Sequence, residues 1–172
     1  AAAYALIAYQ TAYLKTYYKE DFIAATMSTE LTNTSKLREF VEELKRLKVD
    51  IIRPSINRCF AEFKAIDGKI FYGLGAIKNV GFEAMSKIVE ERDRKGKFID
   101  IYDFAKRVPL KKVGKRPLEM LINSGAFADF KSENTAILES LEELILYSAA
   151  CHDEEASSQV NLFSNSIETI KK

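Results

Sequence analysis

Two stretches of this 172-residue chain combine residue types and spacing that suit a ligand: Gly75-Ala76-Ile77-Lys78-Asn79-Val80-Gly81 and Lys111-Lys112-Val113-Gly114-Lys115-Arg116. Each sets glycine and lysine in a turn just ahead of apolar residues at helical spacing. A tight turn that opens a helix presents the free N–H groups of the first helical turn, and the helix dipole adds to their attraction for an anion. Glycine removes the side chain that would hold a polyanionic backbone at a distance. Lys78 at the first turn, and Lys112, Lys115 and Arg116 with Lys111 at the second, supply positive charge. The resulting chemistry is phosphate contact, indifferent to base sequence and sensitive to salt. On shape alone the pattern fits ordinary helical hairpins equally well, since glycine also serves simple chain reversal.

Other chemistries fail on spacing. A dinucleotide-binding loop starting at Gly73-x-Gly75 needs glycine at 78, where Lys78 stands. A P-loop needs four residues between its glycines and then Lys-Ser/Thr; here five separate Gly75 from Gly81, and Phe82 follows. The single histidine, His152, lies in an acidic stretch, which argues against a Ser-His-Asp arrangement. No Asp-x-Asp pair is available for two-metal nucleotidyl transfer. Asp100 and Asp103 read instead as a helix cap and a first-turn residue. Cys59 and Cys151 are far apart with no Cys-x-x-Cys spacing, so two free thiols in a reducing compartment are expected. Cys151-His152-Asp153-Glu154 lacks the ordered spacing of a structural zinc site, and neither a metal ion nor a catalytic residue is expected in this chain.

A net charge of +1 conceals an asymmetry. Residues 67–118 carry 13 Lys and Arg against 7 Asp and Glu, whereas residues 130–168 hold a single Lys against eight acids. The basic middle suits phosphate and the acidic end would be repelled by it. The composition, 47% hydrophobic and 30% charged, is globular, and no apolar run is long enough for a membrane span. Ala1 to Ala8 are apolar but lack a basic region ahead of them, so a signal peptide is not expected, and the start without Met in mid-pattern reads as a fragment of a longer protein.

The elements that must position the two turns are mainly helical, with a small β element. Residues 1–18 read as a helix rich in Ala and Tyr, with Tyr4, Tyr9, Tyr13, Tyr17 and Tyr18 suited to packing against further parts of the parent. A short helix follows over Asp21 to Met27. Asn33 caps another that carries Leu37, Phe40, Val41, Leu44 and Leu47. After Lys48 the pattern turns β-like. Asp67-Gly68 between Phe63–Ile66 and Lys69–Tyr72 predicts a two-residue hairpin. Beyond the first glycine turn comes a helix with Ala84, Met85, Ile88 and Val89 on one face, stopped by Gly96. Asp100 caps a short helix ended by Pro109, Lys111 to Lys115 form a basic turn, and a helix starting near Pro117 buries Leu118, Leu121 and Ile122 before Gly125. Helix, turn, helix thus occurs twice between residues 74 and 125. A last amphipathic helix carries Ile137, Leu138, Leu141, Leu144 and Ile145.

Gln159-Val160-Asn161-Leu162-Phe163 stands apart. Two large apolar side chains sit among Asp, Glu, Ser and Asn, where nothing else suggests a core, and such a segment gains more by docking its anchors elsewhere than by folding alone.

Taken together these residues resemble a family, the bacterial DNA polymerase III alpha subunits. Ala1 to Lys15 is similar to the end of that family's fingers domain, Phe22-Ile23-Ala24-Ala25 to its next helix, and Arg53-Pro54-Ser55-Ile56-Asn57 to its Pro-Pro-Asp-Val-Asn segment. Phe71 to Gly81 resembles its most recognisable stretch. Lys115-Arg116, Leu118 to Ile122 and Ser124-Gly125-Ala126-Phe127 resemble its second hairpin region. The resemblance implies a tandem helix-hairpin-helix module that grips double-stranded DNA, through Gly75, Lys78, Asn79, Val80, Gly81, Lys112, Gly114, Lys115 and Arg116. It also implies a sliding-clamp peptide, Gln159, Val160, Asn161, Leu162 and Phe163, with Gln159 at a polar subsite and Leu162 and Phe163 in an apolar pocket.

The implied organisation is distal fingers over 1–65, a DNA- and clamp-binding module over 66–150, and an acidic linker with the clamp peptide over 151–172. The implied role is processivity in a bacterial cytoplasm, as part of a DNA-directed DNA polymerase whose palm, with its Mg ions, lies outside this chain. The chain alone is then inactive, needs no cofactor, and meets the rest of the polymerase and replisome but no membrane. Asn79 stands where the family usually has glycine and Gly114 where asparagine is common; asparagine tolerates a left-handed conformation, so the first turn can survive. A hairpin module of a repair protein and a protein-interaction scaffold without DNA contact are the alternatives.

Overall fold

The computed structural model describes residues 2–130 and 133–153. The chain opens with three helices, α1 (Ala2–Tyr17), α2 (Lys19–Thr29) and α3 (Thr34–Arg46). The Asn33 side chain accepts the Lys36 N–H and so caps α3 as its sequence predicts. Three short strands follow: β1 (Ile51–Ile52), β2 (Lys64–Ile66) and β3 (Lys69–Phe71). Asp67 and Gly68 have φ of 50° and 71° and close the antiparallel β2–β3 hairpin with Ala65 opposite Ile70. β1 then adds in parallel on the other side of β3, Ile51 opposite Ile70, a long-range pairing that no local pattern announces.

The remaining elements are helical. A single 3-10 turn (Leu74–Ala76) precedes α4 (Phe82–Lys95), followed by α5 (Ile101–Arg107), α6 (Leu110–Val113), α7 (Lys115–Asn123) and α8 (Asn134–Glu139); residues 141–153 form a further helix, α9. Asp100 accepts the Asp103 N–H at the start of α5, and the Asp103 carboxylate accepts the Ile99 N–H in return.

Two apolar clusters organise these elements. Ile23, Met27 and Leu44 of the first helices meet Val49, Phe63 and Ile70 of the sheet region. The larger cluster joins Ile56, Leu74, Val80, Met85, Ile88, Phe104, Leu118, Leu121, Phe127, Ile137 and Leu144. The partly buried Tyr72 packs against both.

Three details depart from the sequence reading. The helix leading into the first glycine turn is only the 3-10 turn, whose leading Leu74 and Gly75 N–H groups are anchored on the Phe60 and Ala61 carbonyls at 2.8 Å each. The residues read as a basic turn are partly helical, since Lys111 and Lys112 lie in the four-residue α6 that restarts after Pro109. The last amphipathic helix is two helices, broken at Ser140, whose N–H and hydroxyl both bond back to the Ala136 carbonyl. The tyrosines of α1 are no departure: α1 has no buried residue, and Tyr13 lies beside Tyr17 with ring centroids 4.6 Å apart.

Candidate nucleic-acid interface

The first turn is closed by the Val80 N–H on the Ile77 carbonyl at 3.1 Å. Asn79 takes a left-handed conformation (φ 64°), which asparagine tolerates better than most residues. Gly81 follows as the residue ahead of α4, with φ 84° and ψ 128°. The second turn repeats this geometry. The Gly114 N–H reaches the Leu110 carbonyl at 2.9 Å, and Gly114 precedes α7 with φ 95° and ψ 151°. Side chains are strained in that region, so both turns depend on glycine. Neither Gly81 nor Gly114 has a side chain to cap the helix it opens, which leaves the first-turn N–H groups of α4 and α7 without that partner. A Cβ at Gly81 would meet nothing within 4 Å, so the backbone there is open to approach.

The side chains expected around these turns are placed unequally. Lys78, Asn79 and Gly81 are exposed at the first, and Lys112, Lys115 and Arg116 at the second. Among the described residues no ion pair engages Lys78, Lys111, Lys112 or Arg116. Lys115 is held by Glu142 of α9, whose hydrogen bond raises the lysine pKa above its ordinary value while the lysine lowers that of the carboxyl. Val80 turns its side chain into the core, so only its backbone lines the turn. Gly75 faces the protein: a Cβ there would stand 2.8 Å from the Ala61 carbonyl oxygen, and the glycine lets the turn lie flat on that loop. Glu83, in the first turn of α4, carries the wrong sign for an anion. Lys87 of α4 and Lys112 of α6 line one hollow, which brings the two halves of the basic surface together. Gln159, Val160, Asn161, Leu162 and Phe163 lie outside the described residues.

Four residues that position the turns escaped the sequence reading. Arg92 is buried on α4, its Nη1 donating to the carbonyls of Ile56 and Cys59. Arg107 donates to the Gly96 carbonyl at 2.9 Å and the Glu91 carbonyl at 3.0 Å, tying the end of α4 to α5. Asn57 pairs with the Phe98 backbone in both directions at 2.8 Å. The buried Ser148 accepts the Leu110 N–H and donates to the Val108 carbonyl, pinning α9 across the α5–α6 junction. Spacing held a signal for two of them: Arg92 continues the buried series Met85, Ile88, Val89, and Ser148 continues Leu141, Leu144, Ile145. Burial pushes the Cys59 thiol up, and both cysteines are free. Among the described residues no group of His, Cys, Asp and Glu could hold a metal ion, and no helix is long and apolar enough to cross a membrane.

The family model for the helix-hairpin-helix motif matches residues 48–137, a span that contains the sheet and both glycine turns. The chain is 40% identical over 163 residues, 95% of its length, to the DNA polymerase III subunit alpha of Caulobacter vibrioides, and 40% identical over 163 residues to that of Thermus aquaticus. It is 44% identical over 147 residues, 83% of its length, to that of Campylobacter jejuni. The chain spans only 14%, 13% and 12% of these three relatives respectively. It belongs to the helix-hairpin-helix family, and it is similar, over most of its length, to a segment of the DNA polymerase III alpha subunits.

Proposed function

We propose that this chain holds duplex DNA without regard to base sequence and tethers its parent, a bacterial replicative DNA polymerase, to a sliding clamp. The observation that carries the first half is the repeated Gly81 and Gly114 geometry, two uncapped helix starts with exposed cations beside them. Phosphate oxygens would accept the first-turn N–H groups of α4 and α7, and Lys78, Lys112 and Arg116 would neutralise neighbouring phosphates. Lys115 joins them when it leaves Glu142. None of these groups reads a base edge, so the grip slides with the duplex.

The second half is carried by Gln159 to Phe163. Leu162 and Phe163 would fill an apolar pocket of the clamp, contributing roughly 1.5–3 kcal/mol each before ordering costs. That suits a weak tether, strengthened whenever DNA is held at the same time. In this reading residues 1–65 are distal fingers, 66–150 the DNA- and clamp-binding module, and 151–172 the linker. Nucleotide transfer belongs to the parent, in the cytoplasm, with its metal ions outside this chain.

Duplex binding measured across a salt series tests the DNA half. Each phosphate contact contributes a slope of about −0.9 in log K against log salt. Lys78→Ala/Lys112→Ala/Arg116→Ala should flatten the slope by up to about three such contacts. A slope that stays unchanged would refute it. Binding to a purified bacterial clamp, lost on Leu162→Ala/Phe163→Ala, tests the tether; equal binding by both chains would refute that half.

A further inference from the structure

Between α4 and the α5–α6 junction lies a hollow of about 270 Å³. Its floor is apolar, built by Ala84, Ile88, Val108, Pro109 and Val113. Lys87 and Lys112 stand on its wall with Glu83 as the opposing charge; Glu91 and Arg107, also there, are paired with each other at 3.4 Å. A smaller hollow of about 160 Å³ shares Pro109 and Lys112 with it and is lined further by Lys111 and Asp153. Asp153 and Lys112 line this same hollow, so residue 154 follows on from a position beside Lys112.

The residues after Asp153 complement this surface in charge and in apolar character. Glu154 and Glu155 come first, then Ala156, Ser157, Ser158 and Gln159, then Val160, Asn161, Leu162 and Phe163. Ten extended residues reach about 33 Å, ample for two hollows that share a wall. We propose that residues 154–163 dock back into this groove when no other partner holds them, with Glu154 and Glu155 against Lys111 and Lys112 and with Leu162 and Phe163 on the apolar floor. Lys87, Lys111 and Lys112 outnumber Glu83 and Asp153 on the surface, and the segment carries no cation to oppose docking. Attachment to the same chain gives the segment an effective concentration on the order of millimolar, so weak complementarity suffices.

The docked segment covers Lys112, one of the cations beside the second turn that have no ion pair among the described residues. DNA and clamp are thereby coupled: a clamp that captures Leu162 and Phe163 uncovers the lysines for phosphate. This coupling rests on the function proposed above, whereas the docking does not. The test uses the full chain with Cys151→Ser and a nitroxide on Asn165→Cys, Cys59 being buried. Docking predicts selective broadening of the Ala84, Lys87 and Val113 amide signals, lost in Lys111→Glu/Lys112→Glu and in Leu162→Ser/Phe163→Ser. Uniform or absent broadening overturns the docking. The Leu162→Ser/Phe163→Ser chain should also bind duplex severalfold more tightly, and unchanged affinity overturns the coupling. Should no chain bind duplex at all, the proposed function fails while the broadening still decides the docking.

Discussion

If the two turns hold duplex as proposed, Arg92→Met should weaken that binding although the guanidinium is buried and cannot itself meet phosphate. The guanidinium is 6% exposed and donates to the Ile56 and Cys59 carbonyls, in residues that are themselves fully buried. Methionine keeps most of the apolar stem and removes the donors. Two buried carbonyls then lose their partner, at about 1–3 kcal/mol each. Relief from burying a charge offsets part of this, because the Asp93 partner is 59% exposed and neutralises the guanidinium weakly. A net loss of about 2–3 kcal/mol follows. With a urea slope of about 1–3 kcal/mol per molar, the midpoint should fall by roughly 1–2 M. The effect reaches the turn because the loop Arg92 holds is the one whose Phe60 and Ala61 carbonyls fix Leu74 and Gly75. In the folded variant duplex affinity should therefore drop while the salt slope stays at its original value, since no cation at phosphate is lost. A midpoint shift below about 0.3 M would show that water satisfies the carbonyls and would refute the reasoning. A flattened slope would place Arg92 at the DNA instead.

Three further outcomes are expected. Glu142→Gln frees Lys115 from its only ion pair among the described residues and should steepen the salt slope by about 0.9; an identical slope would show that Lys115 is already available. Gly114→Ala places a side chain at φ 95° with its Cβ 3.6 Å from the Pro117 ring, so it should cost about 1–2 kcal/mol in urea unfolding and impair duplex binding, and a neutral effect would show that the turn can relax. Burial works against the charge of Glu91, but hydrogen bonds from Arg94, Lys95 and Arg107 prevail and pull its carboxyl down to about 2. A depressed carboxylate stabilises the fold above its unfolded pKa, near 4.5, and that contribution, at most about 3 kcal/mol, fades as pH falls toward 2. Glu91→Gln should flatten the acid limb of stability against pH, and an acid limb of undiminished steepness would assign it to other groups.

Local features were legible in the sequence because their causes are local. Asp67-Gly68, the Asn33 and Asp100 caps, the stops at Gly96 and Gly125, and the left-handed Asn79 each need only a few neighbouring residues. What escaped was set from a distance. The parallel pairing of Ile51 with Ile70, the anchoring of Leu74 and Gly75 on Phe60 and Ala61, and the Glu142 partner of Lys115 all join residues 14 or more positions apart. The candidate site followed the same division: the residues that would touch phosphate were visible as a pattern, and those that hold them in place were not.

That division has a mechanical consequence. A hairpin whose first helix is a single 3-10 turn, or the four residues of α6, cannot hold its glycine turn rigid by helix packing alone. The stiffness has to come from elsewhere, and each turn has its own source. The first rests on the 55–61 loop, which Arg92 holds from α4 and the Ile56 N–H from the Ala126 carbonyl at 2.8 Å. The second rests on Ser148, which bonds to both sides of Pro109, where the proline interrupts helical pairing. Ser148→Ala would leave the Leu110 N–H and the Val108 carbonyl without that hydroxyl in a buried site and should loosen the second turn alone. Amide exchange should then accelerate over residues 110–116 and stay unchanged over 77–82. Equal acceleration at both turns would mean that they are braced as one unit, and that the two separate supports do not act separately.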